Sequence, residues 1–196
     1  MESGNLALKK AYTYADYALW DSDIRWELID GIPYAMGAPT SDHQTISGNF
    51  FAQLHNHLRG KTCRVFSAPF DVRLNYSKGD TTVVQPDLVV ICDRGKIDKS
   101  GCLGAPDMVV EILSPSTASL DTVKKFNKYM EAGVKEYWVV NPDTKAVHVH
   151  VLKEGAYVTG AYEDTDTVPV SILPGCEIDL AEVFGGILTE EDDPHA

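Results

Sequence analysis

Apolar residues along this chain follow two periods. A four-residue recurrence marks a long helix over about Asp42–Leu58, where Ile46, Phe50, Leu54 and Leu58 share one face. The preceding APTS supplies a cap and Gly60 the stop. A second helix is predicted over about Ala118–Ala132, with Phe126, Tyr129 and Met130 inward and Gly133 ending it. A short helix at Thr13–Leu19 has Thr13 as N-cap and Asp16 three residues on. Strand patterns fill most of the rest. Trp26–Met36 reads as a hairpin turning at Asp30-Gly31, because such a turn needs positive φ. Arg64–Leu74 is a strand broken near Pro69, and Asn75–Asp80 is a turn. Thr82–Cys92 and Asp107–Leu113 are two central strands, with Asp93–Pro106 as the loop between them. Glu136–Val140, Ala146–Leu152, Ala156–Ala161 and Thr167–Ile172 follow as strands, and a helical turn at Leu180–Phe184 closes the order. The sum is a mixed α/β (α+β) domain, with helices packed on a central sheet.

The pattern is most informative where it is violated. VVQPDLVVIC and DMVVEILS are apolar and β-branched, yet they hold Asp87 and Glu111. A carboxylate in a buried strand must be paired, hydrogen-bonded or bound to metal, since desolvating a lone charge costs several kcal/mol. Alternation of side chains puts Gln85, Asp87 and Val89 on one face, and Asp107, Val109, Glu111 and Leu113 on one face. If the strands are neighbours, Asp87 and Glu111 can point to the same side. Pro86 lacks a backbone donor, so the ladder should be interrupted there, at an edge or a splayed strand. Such a gap admits a hard divalent ion and a phosphate, because Mg²⁺ takes one or two carboxylates plus substrate and water.

Composition narrows the setting. With 44% hydrophobic and 23% charged residues in 196, the chain can build one sizeable core. No apolar run reaches the roughly 20 residues of a membrane span, and the N-terminus has no continuous apolar core of a signal peptide. The expectation is a cytoplasmic protein with no membrane association, with Cys63, Cys92, Cys102 and Cys176 as reduced packing residues. The net charge of −12 argues against a simple nucleic-acid-binding module. That acidity is C-terminal: ten acids and no Lys or Arg lie in residues 161–196. Residues 1–185 are assigned to a single domain and 186–196 to an acidic tail, solubilising or partner-binding. The alternating His148 and His150 resemble a metal pair, but an exposed strand face accounts for them better. His55 and His57 read as solvated.

The ordered series WELIDGIPYAM, the SDHQ that opens the long helix, APFDVRL, VVQPDLVVIC, GAPDMVVEILSPST and DTVKKFNKYMEAGVKEYWVVNPD resembles the Uma2 family (DUF820) of endonucleases, in the PD-(D/E)XK, restriction-endonuclease-like superfamily. The resemblance spans roughly residues 10–155. It implies a mixed four-stranded core sheet flanked by helices, here with an N-terminal hairpin and extra C-terminal strands, and DNA cleavage dependent on Mg²⁺ (or Mn²⁺). By position, Asp87 and Glu111 become metal ligands, with the backbone carbonyl of Ile112 completing the site. Glu27 and His43 match recurrent positions of such sequences. Glu27 would bind a second metal or orient a ligand, and His43 would touch phosphate or move a proton. Each also has a plain account, a hairpin salt bridge for Glu27 and capping or packing for His43.

One position departs from the superfamily. The lysine expected two residues after Glu111 is Leu113, which cannot activate water or stabilise charge. Lys125 is the replacement expected from the following helix, and the competing account is a solvated lysine paired with Asp121 four residues earlier. Lys124 is expected to be solvated. Glu111 could instead be a buried acid paired with Arg73 or Lys125, Asp87 an edge-strand acid bonded in a turn, and Gln85 either structural or a support for Asp87. The leading expectation is a Mg²⁺-dependent DNA endonuclease acting as a homodimer. The alternatives are a non-catalytic interaction protein that keeps the nuclease scaffold, or a metal-dependent hydrolase of another phosphoester.

Overall fold

The computed structural model describes residues 11–21, 23–114 and 120–188, with no side-chain detail for 120–122. The acidic run from residue 189 onward, the capping segment at 115–117 and the side chain of Asp121 lie outside the described residues.

In chain order the elements are α1 (Tyr14–Tyr17), β1 (Trp26–Ile29), β2 (Ile32–Ala35), α2 (Ser41–Leu58), β3 (Arg64–Ser67), β4 (Asp71–Arg73), β5 (Val83–Val84), β6 (Leu88–Ile91), a 3₁₀ turn (Arg94–Lys96), β7 (Gly101–Leu103) and β8 (Met108–Ile112). A π-helical stretch (Leu120–Lys125) then runs into α3 (Phe126–Ala132), followed by β9 (Glu136–Asn141), β10 (Ala146–Lys153), β11 (Ala156–Tyr162), β12 (Thr167–Pro169), β13 (Glu177–Asp179) and α4 (Leu180–Val183).

The expected mixed α+β architecture is present, with the strands divided between sheets. A six-stranded sheet has the order β11-β10-β9-β8-β6-β3, in which only β8 and β9 run parallel. A five-stranded sheet has the order β2-β1-β5-β4-β7, with β4 and β7 parallel. β12 and β13 form a separate pair.

Two expectations about the centre are corrected. Thr82–Cys92 is not one strand: β5 belongs to the smaller sheet and β6 to the larger, and Gln85-Pro86-Asp87 is the crossing between them. The missing donor at Pro86 does break the ladder, but β6 lies inside its sheet, between β8 and β3, not at an edge. The chain makes a second crossing at Ala68–Phe70, between β3 and β4, where Pro69 sits. Ala68 N donates to Asp87 O at 3.0 Å, so the two crossings are tied together. Asp93–Pro106 is likewise more than a loop, because it contains the 3₁₀ turn and β7. β7 approaches β4 so closely that a Cβ on Gly101 would lie 2.1 Å from Asp71 O, and φ there is +142°.

The large sheet has two buried faces. On one, Leu88, Val90, Met108, Val110 and Trp138 pack on the α2 stripe Ile46, Phe50, Leu54 and Leu58. Phe50 meets Trp138 edge-on at 5.3 Å. On the other face, Val89, Val109, Tyr137 and Val139 pack with Tyr129 of α3 and with Val72 and Val84 of the small sheet. α2 begins where predicted: Thr40 caps it by accepting from His43 N at 3.2 Å. The hairpin turn has φ of 51° at Asp30 and 78° at Gly31. Any Cβ on Gly31 would meet Ala11 at 2.6 Å, so both backbone conformation and space demand glycine there.

The cysteine expectation holds for two residues. Cys102 and Cys176 are free and buried. Cys63 and Cys92 are joined as a disulfide. The pairing of Arg64 with Ile91 places them opposite each other just beyond the β3–β6 ladder, a register that sequence spacing does not reveal.

Candidate active site

The seam between the sheets positions the acids. Asp87 leaves the Gln85–Asp87 crossing, and its Oδ2 accepts from Ile112 N of β8 at 2.7 Å. His43, in the first turn of α2, places Nε2 3.2 Å from the same oxygen. Glu111 lies on the β8 face that packs toward α3, beside Val109. Its Oε1 accepts from Lys125 Nζ at 3.0 Å and from Tyr129 Oη at 2.6 Å. Lys125 Nζ also pairs with Glu27 Oε1 of β1 at 2.9 Å. Glu27 Oε1 in turn accepts from Gln85 N at 2.7 Å. The five residues singled out in the sequence form two groups, His43 with Asp87 and Lys125 with Glu27 and Glu111, tied together through the backbone amides of Gln85 and Ile112.

Their exposure differs. Glu27, Glu111 and Lys125 are at 5% or less, whereas the Asp87 side chain is at 16%. A cleft of about 280 Å³ is lined by His43, Asp87, Glu111, Ile112 and Lys125, with Arg25 among its other walls. The position that held the superfamily lysine, Leu113, is partly buried against the apolar cluster. Lys125 is not the solvated lysine of the competing account, and of the two partners weighed for Glu111 it is Lys125 that is present. Arg73 pairs with Asp80 instead. Lys124 is exposed, as expected, and donates to Tyr34 Oη at 2.6 Å.

Three further neighbours complete the site, of which Arg25 alone has no part in the sequence expectations. Tyr129 lies on the apolar helix face, yet its hydroxyl is a buried donor to Glu111. Burial, reinforced by the charges of Glu111 and Glu27, pushes its pKa well above the usual phenol range. Its signal was the four-residue step from Lys125. Gln85 serves Glu27 through its backbone N–H, not Asp87 through a shared strand face. Arg25 carried no signal. Its Nε and Nη2 donate to Gln85 Oε1 at 3.0 and 2.8 Å. The strand histidines do not line this cleft: His148 is exposed, while His150 packs against Phe126 at 5.0 Å and Tyr137 at 5.5 Å.

The donor set suits a hard cation. Asp87 and Glu111 offer carboxylate oxygens to one cleft, and Ile112 lines it beside them. Among the described residues no three His, Cys, Asp or Glu side chains are gathered as a ready cluster. An ion there would therefore rely on two carboxylates with water and substrate oxygens, which is how Mg²⁺ is commonly held.

The chain matches the Uma2 family, whose description is "Putative restriction endonuclease", over residues 14–181. This chain belongs to the Uma2 family. The "Uncharacterized protein slr1290" of Synechocystis sp. (strain ATCC 27184 / PCC 6803 / Kazusa) is 28% identical over 176 residues, which is 88% of this chain and 90% of that protein. A crystal structure described as "a putative nuclease belonging to DUF820", from Anabaena variabilis ATCC 29413, superposes with a TM-score of 0.72 at 20% identity and covers 88% of this chain and 97% of that one. The Uma2 fold is therefore shared, and family and fold are nuclease-like. Among the described residues, no helix is long and apolar enough to cross a membrane.

Proposed function

We propose that this Uma2 chain is a Mg²⁺-dependent (or Mn²⁺-dependent) DNA endonuclease, with Asp87, Glu111 and the Ile112 carbonyl as the metal's protein ligands. The observation that carries the reading is the charge of the network. Three carboxylates, Asp87, Glu111 and Glu27, belong to the site, and Lys125, paired with Glu27 and Glu111, sets one ammonium against them. In their ionised forms they leave an excess of negative charge in a poorly solvated site, which a divalent cation would balance. Bound there, the ion would polarise the phosphate and lower the pKa of a water nucleophile.

The chain's own groups have distinct roles in this reading. Ile112 N fixes the Asp87 carboxylate. Lys125 and Tyr129 fix Glu111 from behind, and Lys125 directs positive charge at the cleft where charge develops on the phosphate. Glu27 orients Lys125, and His43 stands beside Asp87 at the proton-exchanging side of the cleft. We further propose a homodimer that presents two such sites to two strands. A mass that stays monomeric at every concentration in light scattering would contradict that.

The test is nicking of supercoiled plasmid in Mg²⁺ by the wild-type chain and by the Asp87→Asn/Glu111→Gln double variant. Loss of cleavage with an intact melting transition supports the reading, and undiminished cleavage overturns it. A second reading, a non-catalytic scaffold, is favoured by one observation: Glu111 Oε1 is already engaged by two protein donors. Calorimetry decides between them. No Mg²⁺ or Mn²⁺ binding together with no cleavage of any DNA form favours the scaffold. Metal binding without DNA cleavage favours the hydrolysis of another phosphoester.

A further inference from the structure

A second cleft, of about 400 Å³, adjoins the first, and Arg25 lines both. Its lining includes Tyr14, Tyr17, Trp20 and Trp26. Trp20 lies 5.4 Å from Tyr17 and 6.0 Å from Trp26, so the rings form a continuous aromatic wall. Ile24, which also lines this cleft, is 52% exposed and adds solvent-facing apolar surface to the wall.

Polar groups are set into the wall. Gln85 Nε2 donates to Tyr17 Oη at 2.8 Å and to Asp71 Oδ1 at 2.9 Å, and Tyr17 Oη donates to Asp71 Oδ1 at 3.1 Å. Gln85 Oε1 holds Arg25 through Nε and Nη2. Asp71 Oδ2 and Arg25 Nη1 have no hydrogen-bond partner among the described residues. One acceptor and one donor therefore remain available beside a row of rings.

We propose that this cleft seats an unpaired nucleobase of the strand whose phosphate lies at Asp87 and Glu111, making single-stranded or locally opened DNA the substrate. The inference rests on the nuclease reading of the first cleft. Three features favour a base as occupant. Aromatic side chains stack on any base, and the free acceptor and donor can meet polar base edges. Gln85 and Asp87 are two residues apart, so at most about 7 Å of backbone separates the cleft linings, a span suited to neighbouring parts of one strand. Finally, with 17 Lys and Arg against 29 acids, the chain is poorly equipped to hold a duplex by neutralising phosphates. Stacking supplies affinity that does not depend on positive charge.

The test is tryptophan fluorescence of the full chain, titrated in EDTA with a short oligo(dT), the matching duplex, and a duplex with one unpaired base. Trp138 is fully buried, so quenching reports Trp20 and Trp26. The single strand and the bulged duplex should quench, and the paired duplex should not. Quenching by the single strand alone restricts the occupant to free strands, and quenching by both includes locally opened duplex. Trp20→Ala should weaken single-strand binding about 5- to 150-fold, the range of base–aromatic stacking, while Trp20→Phe retains it. Abasic residues in the oligonucleotide should weaken binding to the wild-type chain similarly, which tests the contact without altering the protein. Absence of quenching by the single strand, or an abasic strand that binds as well as oligo(dT), overturns the subsite. If the nicking assay shows cleavage dependent on Asp87 and Glu111 while quenching is absent, only the subsite fails. If base-dependent quenching is present without cleavage, the subsite stands and the nuclease reading fails.

Discussion

The two halves of the first cleft are built on different principles. At the back, Glu27, Lys125 and Glu111 are almost wholly removed from water, and each is held by the others. At the mouth, Asp87 is held chiefly by the Ile112 amide and flanked by His43, with more solvent in reach. A buried charge is tolerated only while its partners remain, so the back of the cleft ties the site to fold stability. The mouth can present its carboxylate to a ligand because little else depends on it. The cleft thus separates a rigid electrostatic support from a more accessible functional group.

The sharpest way to break that contrast is Lys125→Met, which leaves Glu27 and Glu111 buried without their common cation. It should cost about 3–5 kcal/mol in urea unfolding and also abolish nicking. Asp87→Asn keeps an acceptor for Ile112 N. It should change stability by less than about 1 kcal/mol but lower the nicking rate by about 10²-fold or more. Equal losses of stability in the two variants would erase the distinction. Tyr129→Phe removes one of the donors to Glu111 and should cost about 1.5–3 kcal/mol in the same unfolding assay.

An effect that vanishes near neutral pH lies at His150 of β10, which packs against Phe126 of α3 and does not line the cleft. Burial, with a lesser contribution from His148, lowers the His150 pKa from 6.5 to about 4. The folded chain therefore resists a proton that the unfolded chain accepts. Stability should decline as pH falls from about 6.5 towards about 4 and gain nothing further from this group outside that window. His150→Phe should flatten that part of a melting-temperature profile against pH, leaving the behaviour of the cleft variants unchanged.

The sequence was readable where chemistry contradicts local pattern. An acid in a β-branched run marked Asp87 and Glu111, and helix periodicity placed Ile46, Phe50, Leu54 and Leu58 on one buried face. The same logic is not sufficient by itself. Glu136 is also an acid in an apolar strand and is completely buried, yet it accepts from Trp138 Nε1 at 2.8 Å and Ile172 N at 3.0 Å, far along β9 from the seam. Burial pushes its pKa up. Only its partners, all of them supplied by packing, distinguish a structural acid from one facing a cleft.

By itself the amino-acid order determined the long helix α2, the α-helical turns at Phe126–Ala132 (though not the π-helical entry at Leu120–Lys125), the Asp30-Gly31 turn, the interruption at Pro86 and the residue types available for chemistry, because these depend on local torsions and on side-chain periodicity. Tertiary structure decided the rest: that the chain changes sheets at Gln85–Asp87, that Cys63 meets Cys92, that Arg25 joins two clefts, and that Lys125 reaches Glu111 where Leu113 could not. Each of these depends on contacts between residues distant in the chain, and a buried ammonium is stable at Lys125 because β1 and β8 bring the Glu27 and Glu111 carboxylates to it.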